Sequence, residues 1–555
     1  MPPIRDMLPM LTQLLRPPVD TARAYSVKKL RGDVMAGLNM AVVDVPQAMA
    51  YALIAGVPPQ YGLYTSIVQN IVASLFASNP HLASGPTNTQ SLLIAATVSR
   101  IADPGNTQMF VQLAIGLTLV KALIQLLFAA ARMGALVRYV SQSVIVGFTA
   151  GAGVLIGAGQ VAAFLGIDTG DAARPLPGVP GVAMQLGPLI GQVNWHALVL
   201  GGVALGVIIG GKWLWQHLPG PLLAVVATAV VVYLMGWHDG LVQQIGALPA
   251  PGAELLSPAA PVLTLEHAEA MLAGAIALAI LGMIETVAIG KTVTAGEQVR
   301  IDANQEFFSQ GLANFVGAFF HNIPGSGSFV RSTLNLTTGG RTRFAALFNA
   351  GFVLLIFIAL RDQARYIPLA ALAAVLFVVA WRLIDWRYML RIAHTSKSEA
   401  AVCFITFACT VTLPLQYAIY IGIFLNIALY LRQASRLHIA EMVQTEAGPY
   451  IERPLRERGG RRRVMFLQVE GDLFFGGADE LRDRLRTLRD TGARVIIFRL
   501  KRTHSIDSTV MSVLEEFTRN VQARDGHVIL CGIRPDLLDT MRRFGLVGVI
   551  GEANV

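Results

Sequence analysis

Two stretches rich in Gly, Pro and Ser interrupt otherwise apolar sequence: Ser84-Gly85-Pro86-Thr87-Asn88-Thr89 and Pro324-Gly325-Ser326-Gly327-Ser328-Phe329-Val330-Arg331. Gly and Pro stop one helix, and the residues behind them start another whose first N–H groups lack partners within the helix. Such an end carries about half a positive charge and suits an anion. Two of them face to face, from Thr87-Asn88-Thr89 and Phe329-Val330-Arg331, would hold a small oxyanion with little side-chain charge. The plainer alternative is that the breaks only kink ordinary helices.

Charged residues inside apolar runs add candidates. Arg331 would be costly there without a cavity or a carboxylate to face. It either adds positive potential beside the anion or pairs with Asp44 or Glu285. Glu285, in Leu281–Ile289, is a carboxylate in apolar surroundings and so a candidate for proton uptake. Ile289, one turn on, offers no oxygen to a sodium ion, which favours protons over sodium as the coupling ion. Otherwise Glu285 is a carboxylate locked to Arg331. Asp44 is either a second titrating group or the partner of Arg331. Gln47 and Tyr51, four apart on one helix face, can offer an amide and a ring edge to the pocket. Lys121 reads as a partner for another core charge, and His217 and His321 receive no chemistry. Metal-ligand spacing, a nucleophile triad, a Walker loop and a dinucleotide fingerprint are all missing, so neither an enzyme nor a cofactor is expected. Cys403, Cys409 and Cys531 read as packing residues.

These candidates need apolar helices to carry them. With 54% hydrophobic and 14% charged residues over 555 positions, the chain is a polytopic membrane protein with one soluble appendage. Apolar segments fall at about 34–55, 61–78, 87–101, 109–131, 139–163, 194–211 and 220–237. A second seven follow at about 268–290, 305–320, 328–339, 344–360, 367–381, 399–412 and 415–431. Residues 1–30 contain no signal peptide and read as a cytoplasmic N-terminus. With that end inside, Arg132, Arg138, Lys212, Lys291, Arg300, Arg341, Arg343 and the cluster Arg382–Lys397 fall in cytoplasmic loops. The external stretch 238–267 has no Lys or Arg, and 164–193 has only Arg174; Arg361 and Arg365 argue the other way. The formal net charge of +9 is then topogenic and does not signal nucleic acid. Seven segments per half make the halves inverted repeats, over about 31–237 and 268–435. Each Gly-rich break opens the third segment of its half, as the interrupted helices of such transporters do.

Beyond residue 435 the composition changes. Residues 436–463 read as a polar linker with a basic run, Arg456–Arg463, before an α/β domain over 464–555. Val464–Glu470, Val495–Leu500 and Val528–Cys531 read as strands, and Asp479–Arg489 and Ser508–Asn520 as helices. Asp507 or Ser508 is a natural N-cap for the second helix.

Together these residues resemble the sulfate permease (SulP) anion transporters, also called solute carrier family 26, which end in a STAS domain. The match runs through Ala36-Gly37-Leu38, Val45–Ala52, Gly56-Val57-Pro58-Pro59, Gly62-Leu63-Tyr64 and Gly85-Pro86. It continues through Asn304-Gln305-Glu306, Gly311–Asn314, Pro324–Ser328 with Arg331-Ser332, and Asp507-Ser508. The resemblance implies a uracil-permease-like fold with 14 spans in a 7+7 inverted repeat, in the inner membrane of a bacterium, with both termini cytoplasmic and a homodimeric assembly. A core (spans one to four and eight to eleven) would move against a gate. The substrate would be a small anion such as sulfate, bicarbonate, chloride or a dicarboxylate. An acid at the place of Glu285 takes part in proton or sodium coupling in that family, and a serine often stands where this chain has Val330. The loop around Asp507 and Ser508 resembles one that is phosphorylated in anti-sigma-factor antagonists, so these two residues are regulatory candidates. The reading is a proton-coupled symporter; sodium coupling, anion exchange, and a membrane-anchored scaffold with a STAS output and a cytoplasmic partner are its alternatives.

Overall fold

Each of the fourteen apolar segments coincides with a helix in the computed structural model, and each helix runs until Gly, Pro or a polar cluster stops it. The structure describes residues 16–555 apart from 103–105, 135–139, 169–177, 215–219, 238–239, 251–254, 256, 295–300, 436, 446–447, 449, 455–462 and 490–492. Arg138, Arg174, Arg300 and nearly all of the basic run Arg456–Arg463 therefore lie outside the described residues. The first helices are α1 (Arg16–Arg23), α2 (Val27–Ile54), α3 (Pro59–Phe76), α4 (Asn88–Val98), α5 (Thr107–Ala130), α6 (Gln142–Leu165), α7 (Gly178–Leu186), α8 (Trp195–Leu214) and α9 (Gly220–Met235). Then come α10 (Leu265–Val293), α11 (Ala303–Phe319), α12 (Phe329–Thr337), α13 (Phe344–Leu360), α14 (Leu369–Leu383), α15 (Trp386–Thr395), α16 (Lys397–Thr412) and α17 (Leu415–Ala434).

Among the described residues, six helices are long and apolar enough to cross a membrane, counting α14 with α15 as one; a seventh is added if the pair Gly178–Gln192 and Trp195–Gly211, bent by 116°, is one span. The short helices carry the interest. At 1.5 Å per residue, α4 and α12 are roughly 16 and 13 Å long, about half the thickness of a bilayer core. Each follows a two-residue strand, β1 (Ser84–Gly85) or β2 (Ser326–Gly327). The two strands pair antiparallel, with Ser84 opposite Gly327 and Gly85 opposite Ser326. Breaks some 240 residues apart in sequence thus meet backbone to backbone, an arrangement that two-residue segments cannot announce through β propensity.

That meeting dictates its glycines. A Cβ at Gly325 would stand 1.9 Å from Gln69 Oε1 and 2.5 Å from the Gly85 carbonyl, and one at Gly85 would stand 2.6 Å from Arg331 Nη1. Gly325→Ala must therefore push backbone from backbone. We expect it to lower the stability of the purified protein by about 1–3 kcal/mol or more, read as earlier thermal unfolding in detergent; an unshifted transition would refute the close approach.

Two packing groups arise. Helices α2–α5 pack with α10–α13, and α6, α8 and α9 pack with α14 and α16. In the first group, buried carboxylates hold the helix ends. Asp33 of α2 accepts the N–H groups of Arg341 (2.7 Å) and Thr342 (3.0 Å) ahead of α13. Glu306 of α11 accepts those of Ser78 and Asn79, both at 2.9 Å, just after α3. Cys403 is buried in α16, while Cys409 and Cys531 are only half-buried and so pack less than expected.

The chain divides into two units, Met1–Asn426 and Ile427–Val555. The second holds a five-stranded sheet of β3 (His438–Gln444), β4 (Tyr450–Pro454), β5 (Val464–Leu473), β6 (Val495–Ile506) and β7 (His527–Cys531), in the order β4-β3-β5-β6-β7. Strands β5, β6 and β7 are parallel, joined by α18 (Phe475–Arg489) and α19 (Ser508–Gln522). The helices α20 (Pro535–Phe544) and α21 (Leu546–Ile550) complete the unit. Leu467, Val469, Phe498, Val510 and Met541 form its core. The stretch read as linker contains β3 and β4, an antiparallel pair docked on β5. Its charged residues hid them because β4 is an edge strand, whose exposed side tolerates polar residues.

Candidate functional site

The first turns of α4 and α12 begin just beyond the paired strands. Their N-caps are Thr87 and Ser328, and neither side chain caps its own helix. Thr87 Oγ1 instead lies 3.1 Å from Ser326 Oγ. In α4 the Asn88 amide oxygen takes the N–H of Thr89 at 2.8 Å. Helical bonding resumes where Ser91 and Ser332 donate to the carbonyls of Thr87 and Ser328. The N–H groups of Asn88, Gln90, Phe329, Val330 and Arg331 are thus left without acceptors among the described residues, the donor set an oxyanion needs. Phe329 and Val330 are 51% and 37% exposed, so the start of α12 faces open space. At Val330 only the backbone can donate, since the side chain is apolar.

Glu285, in the last third of α10, ties the two breaks together. Thr89 Oγ1 donates to Glu285 Oε1 at 2.5 Å, and Ser326 Oγ donates to Oε2 at 3.1 Å. One carboxylate thus receives a hydroxyl from each break, and Thr87 extends the chain through Ser326. Thr286, next along α10, accepts the N–H of Gly327 at 3.1 Å and fixes β2 to the same helix.

Arg331 takes the second of its two expected roles. It is 1% exposed, and Nη1 lies 2.7 Å from Asp44 Oδ1. Nη2 donates to the Pro86 carbonyl at 3.0 Å. Asp44 also accepts from Ser66 Oγ and, at 3.1 Å, from Asn349 Nδ2. The charge of Arg331 is therefore neutralised inside the protein by Asp44, because a buried cation and carboxylate satisfy each other better than either faces an apolar surround. Glu285 is free of Arg331, and Asp44 is the partner of Arg331. Sequence reading missed Ser66, Asn349, Ser326 as a carboxylate ligand, and Thr286. The available signal was a polar side chain inside an apolar run.

Gln47 and Tyr51 are buried on α2, and Tyr51 belongs to an apolar cluster against which Leu92 of α4 packs. Lys121 is also buried; its Nζ donates to Gln90 Oε1 at 2.7 Å and to the Gly325 carbonyl at 2.6 Å, so its partners are neutral oxygens and not the charge expected. A separate apolar cavity of about 530 Å³ lies against α2, α9 and α13, lined by Val45, Met49, Val226, Tyr233 and Phe357 among others; it does not reach the helix tips. In the second unit Asp507 caps α19, accepting from Val510 N at 2.9 Å and from Phe475 N at 2.6 Å, and Ser508 is exposed on the first turn. No group of three or more His, Cys, Asp or Glu side chains is placed for a metal among the described residues.

The fold has close counterparts. The overall structure of SLC26A9 superposes with a TM-score of 0.89 at 17% identity, covering 99% of this chain and 92% of that one. The transmembrane domain of BicA, a cyanobacterial bicarbonate transporter, gives 0.63 at 24% identity, covering 73% and 98%. These likenesses define the fold, a helical membrane domain followed in this chain by an α/β domain. The description of the sulfate permease family matches residues 30–406 and that of the STAS domain matches 457–554. The chain belongs to the sulfate permease family of anion transporters. Among its relatives, Sulfate transporter 4.1, chloroplastic, of Arabidopsis thaliana is 26% identical over 543 residues, covering 94% of this chain and 78% of the relative. The putative sulfate transporter YvdB of Bacillus subtilis is 26% identical with 96% of both chains covered, and a probable sulfate transporter of Mycobacterium tuberculosis is 28% identical with 99% and 98% covered.

Proposed function

We propose that this protein carries a small oxyanion across the inner membrane of a bacterium by alternating access, as a proton-coupled symporter. The observation that carries the reading is the pair of uncapped helix starts, α4 and α12, joined by β1 and β2 and bridged by Glu285. The free N–H groups of Asn88, Gln90, Phe329, Val330 and Arg331 bind the anion with partial charges, while Gln47, Tyr51, Thr87 and Thr89 shape the wall. Glu285 takes the proton. Fourteen spans in two inverted sets of seven, both termini in the cytoplasm, and a homodimer complete the architecture, with the packing group of α2–α5 and α10–α13 moving against the other. The STAS domain regulates this motion, and Ser508, exposed beside its cap Asp507, is where a phosphate would attach.

Sodium coupling and anion exchange are the competing modes. Purified protein in proteoliposomes, offered labelled sulfate, bicarbonate, fumarate and succinate under an acid-outside or a sodium gradient, separates them. Accumulation of at least one anion driven by protons alone supports the reading. Accumulation only with sodium, or exchange without accumulation, replaces the coupling mode. Failure to move any anion favours a scaffold.

A further inference from the structure

Lys121 has no part in the scheme above, although it is a fully buried cation. It lies midway along α5, is 0% exposed, and makes no ion pair within 4 Å among the described residues. Its Nζ is gripped by oxygens from both broken segments: Gln90 Oε1, in the first turn of α4, and the Gly325 carbonyl, just ahead of β2. The Gly325 peptide is itself clamped by Asn314, which donates to that carbonyl at 3.2 Å and accepts the Gly325 N–H at 3.1 Å. Across from them a Cβ at Gly282 would stand 3.5 Å from Nζ, and Glu285 follows one turn later on the same helix.

We infer that Gln90 Oε1 and the Gly325 carbonyl are two oxygens of a site for a monovalent cation, and that the Lys121 ammonium occupies it permanently. Amide and peptide oxygens are ligands that small hard cations accept, and carbonyls released by interrupted helices are where transporters hold coupling cations. Hydrogen bonding alone does not require a charge here. A cation beside two positive helix ends raises the potential felt by an incoming anion, a contribution Arg331 cannot make because Asp44 neutralises it. The tethered ammonium therefore stands in for an ion that would otherwise have to be bound and released in every cycle.

The inference rests on reading α4 and α12 as the core of an anion carrier. Its test is anion counterflow in proteoliposomes without a pH gradient, comparing choline with sodium buffer. Wild type should be indifferent to the swap. Lys121→Ala should be slower in choline by about tenfold or more and regain speed with sodium or methylammonium, which enter the vacated oxygens. Lys121→Gln, which keeps hydrogen bonding without charge, should be equally slow, and it serves as the test if the alanine variant fails to fold. Wild-type speed in choline for either variant overturns the inference. So does a monodisperse variant that no small cation revives, which would make the ammonium a strut. Counterflow needs no proton coupling, so it judges Lys121 even if Glu285→Gln proves fully concentrative.

Discussion

Glu285→Gln is expected to abolish proton-driven accumulation while leaving counterflow of the same anion in place. Glutamine keeps an oxygen for one of the two hydroxyls from Thr89 and Ser326, so the link between the breaks is partly preserved. It cannot take up and release a proton. For one proton per anion, each pH unit across the membrane supplies about 1.4 kcal/mol and thus about tenfold accumulation. The variant should equilibrate at a ratio near one whatever the pH difference. Measuring the plateau of labelled anion at two imposed gradients tests this directly. A plateau that still climbs tenfold per unit removes Glu285 from the coupling step.

Arg331→Ala is expected to cost stability first and transport second. Removing the guanidinium leaves Asp44 buried with only Ser66 and Asn349 as partners, and frees the Pro86 carbonyl that Nη2 had satisfied. Breaking a buried pair from one side typically costs about 3–5 kcal/mol, whereas replacing both partners by apolar groups is often neutral. The purified Arg331→Ala protein should unfold well before wild type. Combining Asp44→Leu with Arg331→Met should recover more than half of the loss. If the single variant matches wild type, the ion pair contributes nothing to the junction of α2 with α12. If the double variant is as weak as the single one, the charges are not acting on each other.

These two expectations show where sequence reading succeeds. Gly and Pro at positions 85, 86, 325 and 327 disclosed both interruptions, because backbone restrictions are local, and hydrophobic runs disclosed the helices on either side. The partner of Arg331 was not legible. Asp44 and Glu285 offer the same carboxylate chemistry, one of them 287 residues away along the chain, and only the folded packing of α2 against α12 selects it. The contact between β1 and β2 was hidden for a similar reason, since two residues carry no periodicity. Lys121 was misjudged because charge suggests charge, while the fold supplied neutral oxygens. Strand β4 escaped notice because an edge strand looks like a loop, and its partner β3 was read into the same polar stretch.

The tie between Ser84–Gly85 and Ser326–Gly327 has one more consequence. The two tips cannot part without losing ladder bonds, so under the alternating access proposed above the cradle would travel as a single passenger from one face to the other. A cradle that keeps its shape in transit grips its cargo equally on departure and arrival. The dissociation constant measured from either side at the same pH should then be the same.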